Sequence, residues 1–344
     1  MIHPGPRNLI TDIDGVLVGN AQDDHARTGT TVVLPTRRMV AAVDVRGGGP
    51  GTRETDALAP TTLVDAVDAV VLSGGSVFGL EAAAGVTGWL AARGRGFRVG
   101  HAVVPIVPSA ILFDLANGGD KSWGDRPPYR ALGAAACAAA AADFALGNRG
   151  AGLGATAGAL KGGLGSASAV DDETGLAVGA LVAANPLGSP VMPGQDTLWA
   201  WMLELDGELG GQPPPSGPVP PGLDIPAPGD AAAEPGANTV LGVVATDAAL
   251  DKAEANRVAM AAHDGIARAV RPAHTPFDGD TVFVLAGAAR PLPAPRPLAL
   301  ARLGAMAADA LSRALARGVY VADDLGDMPC YRSVHGRALG DGGA

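Results

Sequence analysis

The chain has 344 residues, 47% of them hydrophobic and 17% charged, enough to bury a large core as one big domain or two intimate layers. A net charge of −10 weighs against nucleic acid or an anionic membrane as a partner. Its 50 glycines beside only 4% aromatic residues point to tight backbone packing and many special turns, and two cysteines, Cys137 and Cys330, make no disulfide framework.

Met1 to Arg7 lack a charged segment followed by an apolar one, so no secretory signal is read and the expected location is cytoplasmic. The most apolar windows, around 69–92 and 131–147, are broken by Gly, Glu, Asp or Trp and are not expected to span a membrane. Thr11-Asp12-Ile13-Asp14-Gly15 has the Asp-x-Asp-Gly pattern of the haloacid-dehalogenase phosphatases, in which the first Asp is a nucleophile and magnesium neutralises the phosphate. With Asp323, Asp324 and Asp327 as further ligands, this gives one alternative, a magnesium-dependent phosphohydrolase, although the strand that should precede Asp12 is weak.

Val40 to Val45 reads as a strand running into a Gly-rich loop, Arg46 to Asp56. Ala66 to Leu72 reads as a buried strand, Ser73-Gly74-Gly75-Ser76 as its exit and Phe78 to Ala92 as a helix. Strand, glycines and helix could cradle a phosphate, but no Walker lysine follows, and Phe78 breaks a nucleophile elbow at Ser76. The apolar run 110–115 follows, and Tyr129 precedes an Ala-rich helix expected over Ala131 to Leu146, where Cys137 has a packing role. Gly152-Leu153-Gly154-Ala155-Thr156-Ala157 is a degenerate dinucleotide pattern with no clear strand before it. Lys161 lies in Leu160-Lys161-Gly162-Gly163-Leu164-Gly165-Ser166, where a desolvated lysine could tune a base or bind an acyl oxygen; a solvated turn lysine is the plain alternative. Leu176 to Ala184 reads as a buried strand ending on Asn185-Pro186, either a simple turn or a neutral amide placed to donate to a developing oxyanion.

Residues 207–236 hold nine prolines between Pro213 and Pro235 and are expected to be an extended linker. It gives way without spacing to Asn238-Thr239 and the strand-like Val240 to Ala245. If the bond before Thr239 is cut, that residue carries both a nucleophilic hydroxyl and a free α-amine, whose ordinary pKa of about 7.7–8.0 suits a base near neutral pH. A helix is expected over Asp251 to Val270, capped near Asp251, with Val258, Ala262, Ile266 and Ala269 at helical spacing. After it, Asp278-Gly279-Asp280 stands before the strand Thr281 to Ala286, so strand, return helix and strand would bring an acidic loop to the first strand's start. A final helix is read over Ala299 to Arg317.

Asn238-Thr239, Val243 to Ala248, Ala262-His263-Asp264-Gly265, Arg271 to Thr275 and Asp278 to Thr281 together resemble the L-aminopeptidase/D-esterase family. That family includes the β-aminopeptidases and nylon-oligomer hydrolases, which are self-processing N-terminal-nucleophile amidases, and the resemblance covers most of residues 8–335. It implies a layered α/β protein of αββα type, helices over two packed sheets. It also implies maturation to an α portion, 1–238, and a β portion, 239–344, that together form one domain. By the same resemblance Thr239 is the nucleophile and its amine the general base, Asp278 and Asp280 orient that amine, Asn185 holds the oxyanion and Lys161 assists. The nylon-hydrolysing members place their lysine two positions earlier, at Ala159. Phe113 stands where those enzymes have a tyrosine, which makes Tyr129 a candidate to supply the hydroxyl beside the substrate. The Gly-rich segments become turns and pocket walls. No metal or organic cofactor is implied, and His263 and His274, lacking metal-ligand spacing, are expected to be structural or to act behind the site. The substrate would be a short peptide, a β-amino acid amide or an ω-amino acid oligomer, and the assembly a homotetramer. A binding protein that keeps the fold without activity is the remaining alternative.

Overall fold

The structure, a computed structural model, describes residues 1–220 and 238–336, so the linker expected over 207–236 lies outside it beyond residue 220. Two sheets pack face to face, each covered on its outer side by helices, which is the expected αββα layering. The first sheet has six strands in the order Ile2–His3, Gly163–Asp171, Ala177–Asn185, Thr239–Ala248, Thr281–Arg290, Val40–Val45. The second has five, in the order Val16–Asp23, Thr28–Pro35, Val70–Ser73, Ser109–Ile111, Thr52–Arg53. Helices α1 (Glu81–Ala91) and α2 (Tyr129–Ala138) cover the second sheet, and α3 (Lys252–Ala269) and α4 (Arg296–Tyr320) cover the first.

The strand beginning at Thr239 is buried on both faces, and its side chains alternate between two cores as a period of two requires. Val240 and Val244 join the core under α3 and α4, whereas Leu241, Val243 and Ala245 join the core between the sheets. By that alternation the Thr239 side chain stands on the inter-sheet side. Asp251 caps α3 by accepting from the Glu254 N–H at 2.8 Å while Glu254 reaches back to the Asp251 N–H, a capping box that fixes where the helix starts. The helix then returns the chain so that Thr281–Arg290 runs parallel to the Thr239 strand, with Leu241 opposite Thr281. This crossover delivers the Asp278-Gly279-Asp280 loop to the start of the Thr239 strand.

The glycines set the closeness of the layers. A Cβ on Gly165 would lie 1.9 Å from the Ala314 carbonyl oxygen of α4, and one on Gly265 of α3 would lie 2.1 Å from the Ala308 carbonyl oxygen. Helix α2 is shorter than the alanines suggest. Beyond Ala138 the chain leaves the helix to pair Ala141 with Val18, through N–H···O bonds of 3.1 and 3.0 Å, so a tertiary strand contact overrides helix propensity. The start of the expected linker is packed: Glu208, Leu209 and Gln212 are buried, and Glu208 is ion-paired with the equally buried Arg313 of α4. Among the described residues no helix is long and apolar enough to cross a membrane.

Candidate active site

Four segments meet where the Thr239 strand begins. Asn185 ends the antiparallel neighbour and is the direct pair of Thr239. On the other side Asn238 bridges Asp278 in parallel register. Thr239 is buried, and its hydroxyl donates to the carbonyl oxygen of Asn238, the residue on the far side of the candidate cut. The same carbonyl oxygen accepts the Gly279 N–H at 2.9 Å. Gly279 has to be glycine here, since a Cβ would come within 2.8 Å of Thr239 Oγ1 and of the Gly49 carbonyl oxygen.

Two buried carboxylates, Asp278 and Asp280, stand in the loop that meets the start of the Thr239 strand. Asp280 Oδ1 accepts the Val240 N–H at 2.7 Å, one residue past Thr239. Its Oδ2 accepts from His274, through Nδ1 at 2.7 Å and the main-chain N–H at 3.2 Å. Asp278 Oδ1 accepts the Leu187 N–H at 3.1 Å, just past Asn185, and its Oδ2 accepts from Thr275 through the main-chain N–H at 3.0 Å and the hydroxyl. Burial, and then the charge of Asp280, hold the Asp278 carboxyl above the usual carboxylate range.

Asn185 is fixed by its oxygen, which accepts the Thr156 N–H at 2.8 Å, while its amide nitrogen donates to the Phe113 carbonyl at 3.3 Å. The amide is thereby oriented with its NH2 on the Phe113 side. Phe113 thus meets the site through its main chain, with its ring half-buried. Lys161 pairs with Thr156 in a short hairpin, one step behind Asn185, and is wholly buried. Its Nζ donates at 2.8 Å to each of the Gly152 and Gly162 carbonyls, and burial pulls its pKa down to about 7. Tyr129 is fully buried too, and its hydroxyl donates to Thr28 Oγ1 at 3.3 Å. Thr28 in turn donates to the buried Asp114 carboxyl at 2.6 Å, so the Tyr129 hydroxyl belongs to a network behind Phe113. Burial pushes both the Asp114 carboxyl and the Tyr129 hydroxyl upward.

His263 and His274 pack edge to face with ring centroids 5.0 Å apart. His263 Nε2 lies 2.9 Å from the Asp44 carbonyl oxygen, so it carries the proton, and burial holds the ring's pKa down to about 4. Sequence reasoning put both rings behind the site and missed that His274 touches Asp280. The signal was a histidine six positions ahead of that acid in a polar loop.

The phosphate-cradle glycines have other work. Gly48 and Gly49 N–H groups bond the carbonyls of Thr275 and Asp278, so the Arg46–Pro50 loop is the wall that backs the acidic loop. The N–H groups of Gly74, Gly75 and Ser76 are taken by Gly29, Asp114 and Leu112, leaving none of them to hold a phosphate. Asp12 accepts from the main chain of Arg7 and Leu9 and from the Ser168 hydroxyl, a capping role for the turn it sits in, and Asp14 is exposed. Asp323 pairs with Arg332, and Asp324 accepts from Cys330 and Ser333. Among the described residues no group of three or more His, Cys, Asp or Glu side chains is placed to hold a metal ion.

The two helix-covered sheets share the fold of solved N-terminal-nucleophile hydrolases. The L-aminopeptidase D-Ala-esterase/amidase of Ochrobactrum anthropi, described as a variant of that fold, superposes with a TM-score of 0.68 at 20% identity, covering 95% of this chain and 89% of that one. The chain belongs to peptidase family S58, whose family model matches residues 8–329. An uncharacterized aminopeptidase of Mycobacterium tuberculosis is 46% identical over 97% of this chain and 99% of its own length. A 6-aminohexanoate-oligomer endohydrolase of Agromyces sp. is 30% identical over 82% of this chain and 75% of its own.

Proposed function

We propose that this peptidase-family chain is a self-cleaving amide hydrolase whose nucleophile is Thr239. The observation that carries the reading is the buried Thr239 hydroxyl on the Asn238 carbonyl, with the Gly279 N–H on the same oxygen. In the first reaction Oγ1 attacks the Asn238 carbonyl carbon, and the Gly279 N–H receives the oxyanion. The C–N bond then breaks, the hydroxyl proton passes to the departing nitrogen of Thr239, and an ester joins Asn238 to Oγ1. Water opens the ester, leaving the Asn238 carboxylate and a Thr239 with a free α-amine.

In turnover that amine is the base for its own hydroxyl, held by Asp280 beside it and by Asp278. The substrate amide carbonyl takes the place of Asn238, its oxyanion received by the Gly279 N–H and the Asn185 amide. Phe113 borders the acyl group, while Lys161 and Tyr129 act from behind, through the loops that hold Asn185 and Phe113. The M. tuberculosis and Agromyces relatives support short peptides or oligoamides as substrates. Processed units assemble as homotetramers, and the protein works in the cytoplasm without a cofactor.

Intact mass of the freshly purified chain under denaturing conditions, beside Thr239→Ala, tests this. Two fragments meeting between Asn238 and Thr239, absent from the variant, are expected. A chain that stays whole on incubation, or a variant that is cut like the wild type, removes Thr239 as nucleophile.

A further inference from the structure

Two consecutive residues each grip one of the site's carboxylates in the same way. His274 donates its main-chain N–H and ring Nδ1 to Asp280 Oδ2, and Thr275 donates its main-chain N–H and hydroxyl to Asp278 Oδ2. The two remaining oxygens, both Oδ1, accept the N–H groups of Val240, next after Thr239, and of Leu187, two past Asn185. Successive N–H groups around a left-handed residue form a concavity suited to anions, and His274 has φ of 55°. Few side chains other than glycine accept that backbone, and asparagine and aspartate are among those that do. The His274 ring is itself held, with its neighbour His263 locked in place by the Asp44 carbonyl.

We propose that His274-Thr275 is a clamp that sets the orientation of both carboxylates. It makes His274 and Thr275 positioning residues for the reaction at Thr239, and it rests on the reading of Thr239 as nucleophile. Without the ring donor Asp280 keeps only main-chain bonds, the His274 N–H on Oδ2 and the Val240 N–H on Oδ1, and its carboxylate is free to swing about them. Without the hydroxyl the same holds for Asp278. A charge-assisted hydrogen bond of this kind corresponds to roughly ten- to a hundredfold in rate.

Self-cleavage reads the effect without knowing the substrate. The full chain is made by cell-free translation, and the appearance of the two fragments is followed in time. His274→Asn keeps an N–H donor near the position of Nδ1 and tolerates the backbone; His274→Asp has the same shape but sets an acceptor against Asp280. Thr275→Ser keeps the hydroxyl and Thr275→Val removes it at constant shape. Expected are His274→Asn and Thr275→Ser within about threefold of wild type, with His274→Asp and Thr275→Val slower by at least about tenfold. Thermal melts run in parallel, and should His274→Asp not melt cooperatively, the Thr275 pair decides. Equal rates within either pair of variants overturn the clamp, because a merely structural role would not slow cleavage in a variant whose melt matches the wild type. Cleavage of Thr239→Ala at the same bond would instead remove the nucleophile on which the clamp acts.

Discussion

Lys161 sits wholly inside the protein with its amine on two main-chain carbonyls and its pKa pulled down to about 7 by burial. An unfolded lysine titrates near ~10.4, so between those limits the unfolded chain holds a proton that the folded chain has released. Stability therefore rises with pH across that window, and the cost of charging a buried amine is fully present below it. The Thr239→Ala chain and the same chain with Lys161→Met, unfolded by denaturant at pH 7 and pH 9, isolate this group. The Lys161 chain is expected to gain about 2–3 kcal/mol relative to the Met chain between the two values. Parallel stabilities at both would mean that the amine stays charged in the fold. Such a residue was only partly legible: glycines around a lysine suggested desolvation, but the carbonyls that hold it come from Gly152 and Gly162, and pairing with Thr156 follows only from the hairpin. His274 was less legible still, since its contact with Asp280 depends on a left-handed backbone that no periodicity announces.

The elements were read best where one pattern dictated them. The Thr239 strand, a helix capped near Asp251 and the acidic loop before Thr281 were all legible, whereas the division of that strand's side chains between two cores and the reciprocal bond from Glu254 came only with the structure. The Ala131–Leu146 helix failed beyond Ala138 because alanine says only that a helix is permitted, while the pairing of Ala141 with Val18 decides what is built. The many glycines signalled close packing without saying which layers touch. Gly165 shows what they do, lying under α4 with room for nothing larger than hydrogen against the Ala314 carbonyl. Gly165→Ala forces backbone, not a flexible side chain, to move, so α4 lifts from the sheet that carries Asn185 and Thr239. The expected loss is at the upper end of the ~1–3 kcal/mol typical of overpacking, read from denaturant unfolding in the Thr239→Ala background. Gly94→Ala is the comparison, as an added Cβ there meets nothing within 4 Å although its φ of 68° still charges a backbone cost. A smaller loss at Gly165 than at Gly94 would show that the layers give way easily.

At the scale of the molecule, the candidate cut falls inside the sheet and not between separable bodies. The Thr239 and Thr281 strands are interior to the first sheet, between Ala177–Asn185 on one side and the edge strand Val40–Val45 on the other. Both flanking strands precede the cut in sequence, so residues after Thr239 are gripped from two sides by residues before it. Helix α4 adds a third hold, its Arg313 paired with Glu208 and donating to the Ser168 carbonyl at 2.7 Å. Breaking such a buried pair by removing one partner costs about 3–5 kcal/mol, and separating the portions would break it together with two strand ladders. The two portions of a cut chain are therefore expected to migrate as one species on a sizing column in native buffer, in equal amounts, and to part only in denaturant. Fragments that separate without denaturant would mean that the ladders around Thr239 open once the bond is cut. Thr239 would then lose Asn185 on one side and the carboxylates on the other, so the same interleaving that keeps the portions together also keeps the candidate site assembled.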